Sequence, residues 1–180
     1  MPRLPLINQM QLTAAQKDMY EEILRVRGQV RGPFAIWLNS PELGSLALQI
    51  QDWFQKKSAL DDRIVELTIL IMARKANAQF AWAVHEQRAL KYGIEHTIIE
   101  AIKMRCTPKF NSDIELLTYD LVNELNETKT LSSVSYQKAI KHFSVQALVE
   151  LVSLTGFYVM VAMILNSFEA DTPTGEQLLF

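Results

Sequence analysis

Apolar positions recur at helical spacing along almost the whole chain, and no useful stretch alternates with the two-residue period of a strand. Met19, Ile23, Leu24 and Val26 form the first stripe, and Thr13 with Gln16 frames its start as a capping box. Gly28 and Gly32-Pro33 loosen the chain after it. Ser40-Pro41 reads as an N-cap followed by a proline, whose missing N–H costs nothing at the first helical position. It opens a helix through Leu43, Leu46, Leu48, Ile50, Trp53 and Phe54. Asp61 and Asp62 start the next helix, where acids suit the N-terminal dipole. That helix is apolar on several sides, from Ile64 to Met72, which places it at the centre of the fold. Asn77 reads as the N-cap of a helix over about 78–92, closed by Gly93. A shorter helix over 95–105 is broken by Thr107-Pro108. Ser112 and Glu115 form a second capping box for a helix to about residue 127. Another helix starts at Ser132 or Ser133, and Ser144 caps a long apolar one over about 144–168.

The pattern therefore predicts an all-α fold of about seven to eight helices in a single domain over 1–180. Composition agrees, with 49% apolar and 21% charged residues, the balance of a chain that buries much of itself. The apolar run LVSLTGFYVMVAMIL over 151–165 is interrupted by Ser153, Thr155 and Gly156. It is shorter than the roughly 18–20 residues of a bilayer span, so a core or interface helix is expected rather than a membrane segment. A net charge of −2 with no dense Lys/Arg run gives no attraction to nucleic acid. The opening MPRLPLINQM lacks the continuous apolar core of a secretory signal. Cys106 is the single cysteine, so an intramolecular disulfide is excluded and a cytoplasmic protein is expected.

Two polar residues disturb the apolar pattern in its centre. Glu66 sits within the most apolar helix, where a lone buried charge is too costly to leave unpaired. At 100° per residue, Ala78, Ala81, Trp82 and His85 share one side of the following helix, and the two alanines leave a hollow beside His85. If the two helices pack antiparallel, Glu66 approaches His85 with one water between them. A carboxylate that fixes an imidazole tautomer and an imidazole that moves the proton make a usable acid/base pair. The plainer alternative is a packing histidine and a rim glutamate. Arg74 and Arg88 are candidates to hold an anionic substrate, with Trp82 alongside. No two of the three histidines are three or four residues apart, so neither a metal site nor a cofactor is expected. Phe157/Tyr158 and Met160/Met163 read as core or subunit interface.

The stretches GPFAIWLNSPEL, DRIVELTILIMARKANAQFAWAVHEQRALKYGI and ELVSLTGFYVMVAMILNSFE resemble the carboxymuconolactone decarboxylase family, which includes alkyl hydroperoxidase D. They span most of residues 32–169, with the core motif region at about 43–126. The resemblance implies an alkyl hydroperoxidase D-like helical domain that assembles as trimers or hexamers. The family's peroxidase pattern is a glutamate, eleven residues, a cysteine, two residues, a cysteine, three residues and a histidine. Laid on this chain without a gap, it puts the glutamate at Glu66 and the histidine at His85, and the two cysteines fall on Ala78 and Ala81. A dithiol peroxidase needs a thiolate nucleophile, which alanines do not supply. The resemblance leaves non-redox acid/base chemistry of a lyase on a small carboxylated or lactone substrate as the leading expectation. A catalytically degenerate small-molecule binder or oligomeric partner protein is the alternative, and a peroxidase comes third.

Overall fold

The computed structural model describes residues 2–4, 8–172 and 180, and among these helix is the only regular secondary structure. After a 3-10 turn at Gln9–Gln11 come α1 (Ala14–Arg27), α2 (Pro33–Trp37), α3 (Pro41–Lys56), α4 (Asp62–Lys75) and α5 (Gln79–Lys91). Then follow α6 (His96–Lys103), α7 (Asp113–Thr128), α8 (Ser133–His142) and α9 (Val145–Ser167). The helix missing from the sequence pattern is α2. Five residues are too few to show a period. It forms because Pro33 stands at its first position and Phe34 and Trp37 are both buried.

The centre of the bundle is α4, with every residue from Ile64 to Ala73 buried. It packs against α5, α7 and α9, and more lightly against α3 and α6. α1 lies on α3, and α2 bridges α3 and α9. The Thr13–Gln16 capping box forms in both directions. Gly28 ends α1 in the left-handed conformation.

Two expected caps are built differently. Asn77 is not the N-cap of α5, because Ala78 holds that place without a side-chain bond. Asn77 instead closes α4, at φ 53°, in the left-handed region that asparagine tolerates better than most residues. Its N–H reaches Arg74 O at 3.2 Å, and the Ala78 N–H reaches Ala73 O at 2.8 Å, a Schellman closure. This tight turn folds α5 back along α4. The second capping box is also absent: the Ser112 side chain makes no cap bond. Glu115 is buried, and its carboxylate accepts from Arg63 Nε, tying α7 to α4. Pairing a buried carboxylate outweighs capping one exposed N–H.

α9 is 23 residues long, which exceeds the apolar run visible in the sequence. By length and composition it is apolar enough to cross a membrane, yet 56% of its most apolar window is buried within the bundle. Leu151, Leu154, Tyr158, Val161 and Leu165 form the inward seam. The outward side carries exposed Val145, Val149, Val152 and Met163.

Candidate active site

Glu66 and His85 meet directly, without an intervening water. His85 Nδ1 lies 2.6 Å from Glu66 Oε2, and both residues are buried. The other carboxylate oxygen, Oε1, accepts from Arg88 Nε at 2.6 Å. Arg88 is one helical turn beyond His85 on α5, so both residues face α4. Burial pushes the Glu66 carboxyl up, but the charges and hydrogen bonds of His85 and Arg88 outweigh it and hold the carboxyl below its ordinary value. Burial lowers the Arg88 guanidinium, and the Glu66 carboxylate more than restores it.

On the far side of the ring, Tyr158 Oη of α9 lies 3.1 Å from His85 Nε2, and the two rings stand edge to face. Tyr158 is buried, and burial followed by the Glu66 charge raises its phenol above the ordinary tyrosine range. Gln51 Nε2 of α3 donates to Tyr158 Oη at 3.2 Å, and Gln51 Oε1 accepts from Arg27 Nη2 at 3.1 Å.

These contacts have a direction. A guanidinium only donates and a carboxylate only accepts. Arg27 therefore fixes the Gln51 carbonyl toward itself and the amide toward Tyr158. The phenolic oxygen accepts from that amide, which leaves its proton for His85 Nε2. Because Glu66 accepts, His85 carries its proton on Nδ1. Every donor from Arg27 onward points toward Glu66, and Arg88 points to it from the other end.

A cavity of about 200 Å³ opens beside this chain, lined by Arg27, Ala81, His85, Arg88 and Tyr158, with Phe34 and Phe80 among its apolar walls. Phe80 keeps its place because Gly32 passes close to it: a Cβ on Gly32 would lie 2.2 Å from the Phe80 ring. Arg31 also lines the cavity, its guanidinium 5.9 Å from the Phe80 centroid.

Of the residues singled out in the sequence, Glu66, His85, Arg88 and Ala81 come together here. Ala78 is fully buried and does not line the cavity. Trp82 is displaced from the expected substrate wall. It is fully buried, and its ring packs edge-on against Phe180 at 5.5 Å. Arg74 is elsewhere too: its Nε donates to Lys103 O at 2.6 Å, and its guanidinium sits 4.1 Å from the Phe180 centroid. It lines a different cavity, shared with the exposed Cys106. The residues the pattern missed are Arg27, Gln51 and Tyr158. A tyrosine on the buried seam of an otherwise apolar helix was the available signal, since its hydroxyl requires a partner. Arg27 carried none, because a basic residue in the last turn of a helix ordinarily complements the dipole.

No protein-family model matches the chain. No curated protein matches it either. Solved structures do. A peroxidase-related protein with an alkylhydroperoxidase D core, from Ralstonia eutropha JMP134, superposes with a TM-score of 0.79 at 11% identity, covering 95% of this chain and 92% of its own. An uncharacterised peroxidase-related protein from Silicibacter sp. TM1040 gives 0.79 at 11% identity, covering 99% and 96%. A protein of unknown function from Agrobacterium tumefaciens, described as a putative antioxidant defence protein AhpD, gives 0.65 at 19% identity, covering 76% and 94%. At such identities the likeness is one of fold: this chain has the all-helical fold of the alkylhydroperoxidase D core proteins.

Proposed function

We propose that the cavity beside His85 carries out thiol-free acid/base chemistry, of the lyase type, on a small carboxylated or lactone substrate. The observation that supports this reading is the continuous contact Arg88–Glu66–His85–Tyr158 at the wall of a cavity lined by arginines. In a decarboxylation the C–C bond to the carboxylate breaks, and its electron pair passes into the conjugated lactone carbonyl as an enolate. Carbon dioxide leaves, and the carbon takes one proton. Tyr158 would give its hydroxyl proton to that carbon while His85, first protonated by solvent on its second ring nitrogen, passes the Nε2 proton to the phenolic oxygen and returns to the neutral Nδ1–H form, with Glu66 holding the imidazole in register. A peroxidase role, which the description of the structural neighbours suggests, requires a thiolate. The single cysteine, Cys106, is exposed and lines another cavity. The test is carbon dioxide release from a carboxymuconolactone. The wild type and Cys106→Ser should turn over equally, and His85→Gln should be slower by about 100-fold or more. Hydroperoxide turnover that depends on Cys106 would overturn the reading.

The same reading includes assembly of the chain with copies of itself, as a trimer or hexamer in the cytoplasm. Its support is the outward side of α9, where Val145, Val149, Val152 and Met163 are exposed and recur near heptad spacing. Gly156, on the same side, has nothing within 4 Å of where a Cβ would stand, so a second helix would meet no obstruction there.

A further inference from the structure

Arg88, the arginine best placed to be read as an anion clamp, already spends its charge on Glu66. Arg27 is in a different position. It is half-buried at the cavity wall, and its recorded side-chain partners are the neutral amides of Gln51 and Gln55. Its Nε is buried with no hydrogen-bond partner among the described residues. Asp52 acts on it through space, but that carboxylate pairs with Lys56. Phe34 supports the guanidinium, 5.9 Å from the ring centroid. The charge of Arg88 reaches Arg27 as well, and Arg31 lines the same cavity, so three cations share a small cavity whose lining includes no acidic side chain. A desolvated guanidinium with a donor left over is stabilised most by a carboxylate, which it binds with two parallel hydrogen bonds.

We infer that Arg27 is the anion seat of this cavity: it takes the carboxylate of a small organic acid and turns the rest of the molecule toward Tyr158 and His85. This deepens the reading above, since it names the residue that selects the substrate class, but binding at Arg27 does not require turnover. Arg27 belongs to α1, outside the helices that carry Glu66 and His85, so ligand recognition and proton transfer reside on separate elements.

The probe is 5-oxotetrahydrofuran-2-carboxylate, a γ-lactone bearing one carboxylate, with its neutral methyl ester as control. Two-dimensional NMR of the arginine side chains follows the Arg27 Nε–H in the unmodified protein, and calorimetry measures affinity. The carboxylate should shift the Arg27 Nε–H saturably and the ester should not. Arg27→Met should weaken binding about tenfold or more, as expected for the loss of a charge-assisted pair. Arg27→Lys should recover part of that loss, and His85→Gln should leave affinity within about twofold. Absence of saturable binding in the wild type at about 20 mM would overturn the assignment. Equal binding of acid and ester, or an unchanged affinity in folded Arg27→Met, would do the same. If the acid binds the wild type through Arg27 and the wild type turns over no carboxylated lactone, the seat stands and the acid/base reading falls. If Arg27→Met keeps wild-type KM and kcat, the reverse holds.

Discussion

His85 Nδ1 and Glu66 Oε2 are 2.6 Å apart although the residues are nineteen positions apart in the chain. The contact is made inside the bundle, with Glu66 only 1% exposed. An ionised carboxylate is tolerated there because both its oxygens are bonded to donors. Removing one side of such a pair leaves a buried, uncompensated group. Glu66→Ala is therefore expected to destabilise the fold by about 3–5 kcal/mol. Denaturant unfolding measures this, and a loss below about 1 kcal/mol would show that the pair is not buried as described.

The same pair sets an acid limit to stability. The folded Glu66 carboxyl is held below the ordinary 4.5, so its stabilising contribution is complete above that value. It is lost as pH falls through 4.5 toward the folded value, because the unfolded chain then binds the proton first. Melting temperature should drop in that range, and the drop should be shallower in Glu66→Gln. Superimposable pH profiles of the two proteins between pH 3 and 7 would contradict this.

Tyr158→Phe removes one hydroxyl from the chain and leaves the ring in its seam. His85 Nε2 and the Gln51 amide each lose a partner, at a cost of about 1–3 kcal/mol. On a decarboxylation substrate the variant should lose about 100-fold or more in kcat with little change in KM, because the hydroxyl serves the proton and not the anion. A rise in KM at constant kcat would assign Tyr158 to binding.

The outward side of α9 gives a separate prediction. Placing charge at its centre with Val149→Glu and Val152→Glu should lower the mass seen by light scattering toward that of one chain, without altering the helical circular dichroism. A wild type that already runs at one chain's mass would remove the case for association through this face.

Much of the site was legible because it depends on local rules. The spacing of Ile64–Met72 marked the central helix, and the short turn between it and the next helix set His85 of α5 against Glu66 of α4. What escaped depends on contacts made across the fold. Tyr158 is 73 positions from His85, and Arg27 is 24 from Gln51, so no periodicity links them. Arg74 and Trp82 lie outside the cavity beside His85 for the converse reason. Sequence places a residue on a helix but does not say which neighbour it meets, and these two meet Phe180. Asn77 was assigned to the wrong helix because the residue types that favour N-caps also tolerate the left-handed conformation that ends a helix.

The account rests on the direction of the hydrogen bonds that end at Glu66. Long-range proton–nitrogen NMR of the His85 ring reads that direction. With the ring neutral, the account predicts a proton on Nδ1 and a bare Nε2, and in Tyr158→Phe the same tautomer with a shifted Nε2 signal. A proton on Nε2 with Nδ1 bare would reverse the chain, require a protonated Glu66, and contradict the assignment of this pair as the proton-transfer machinery.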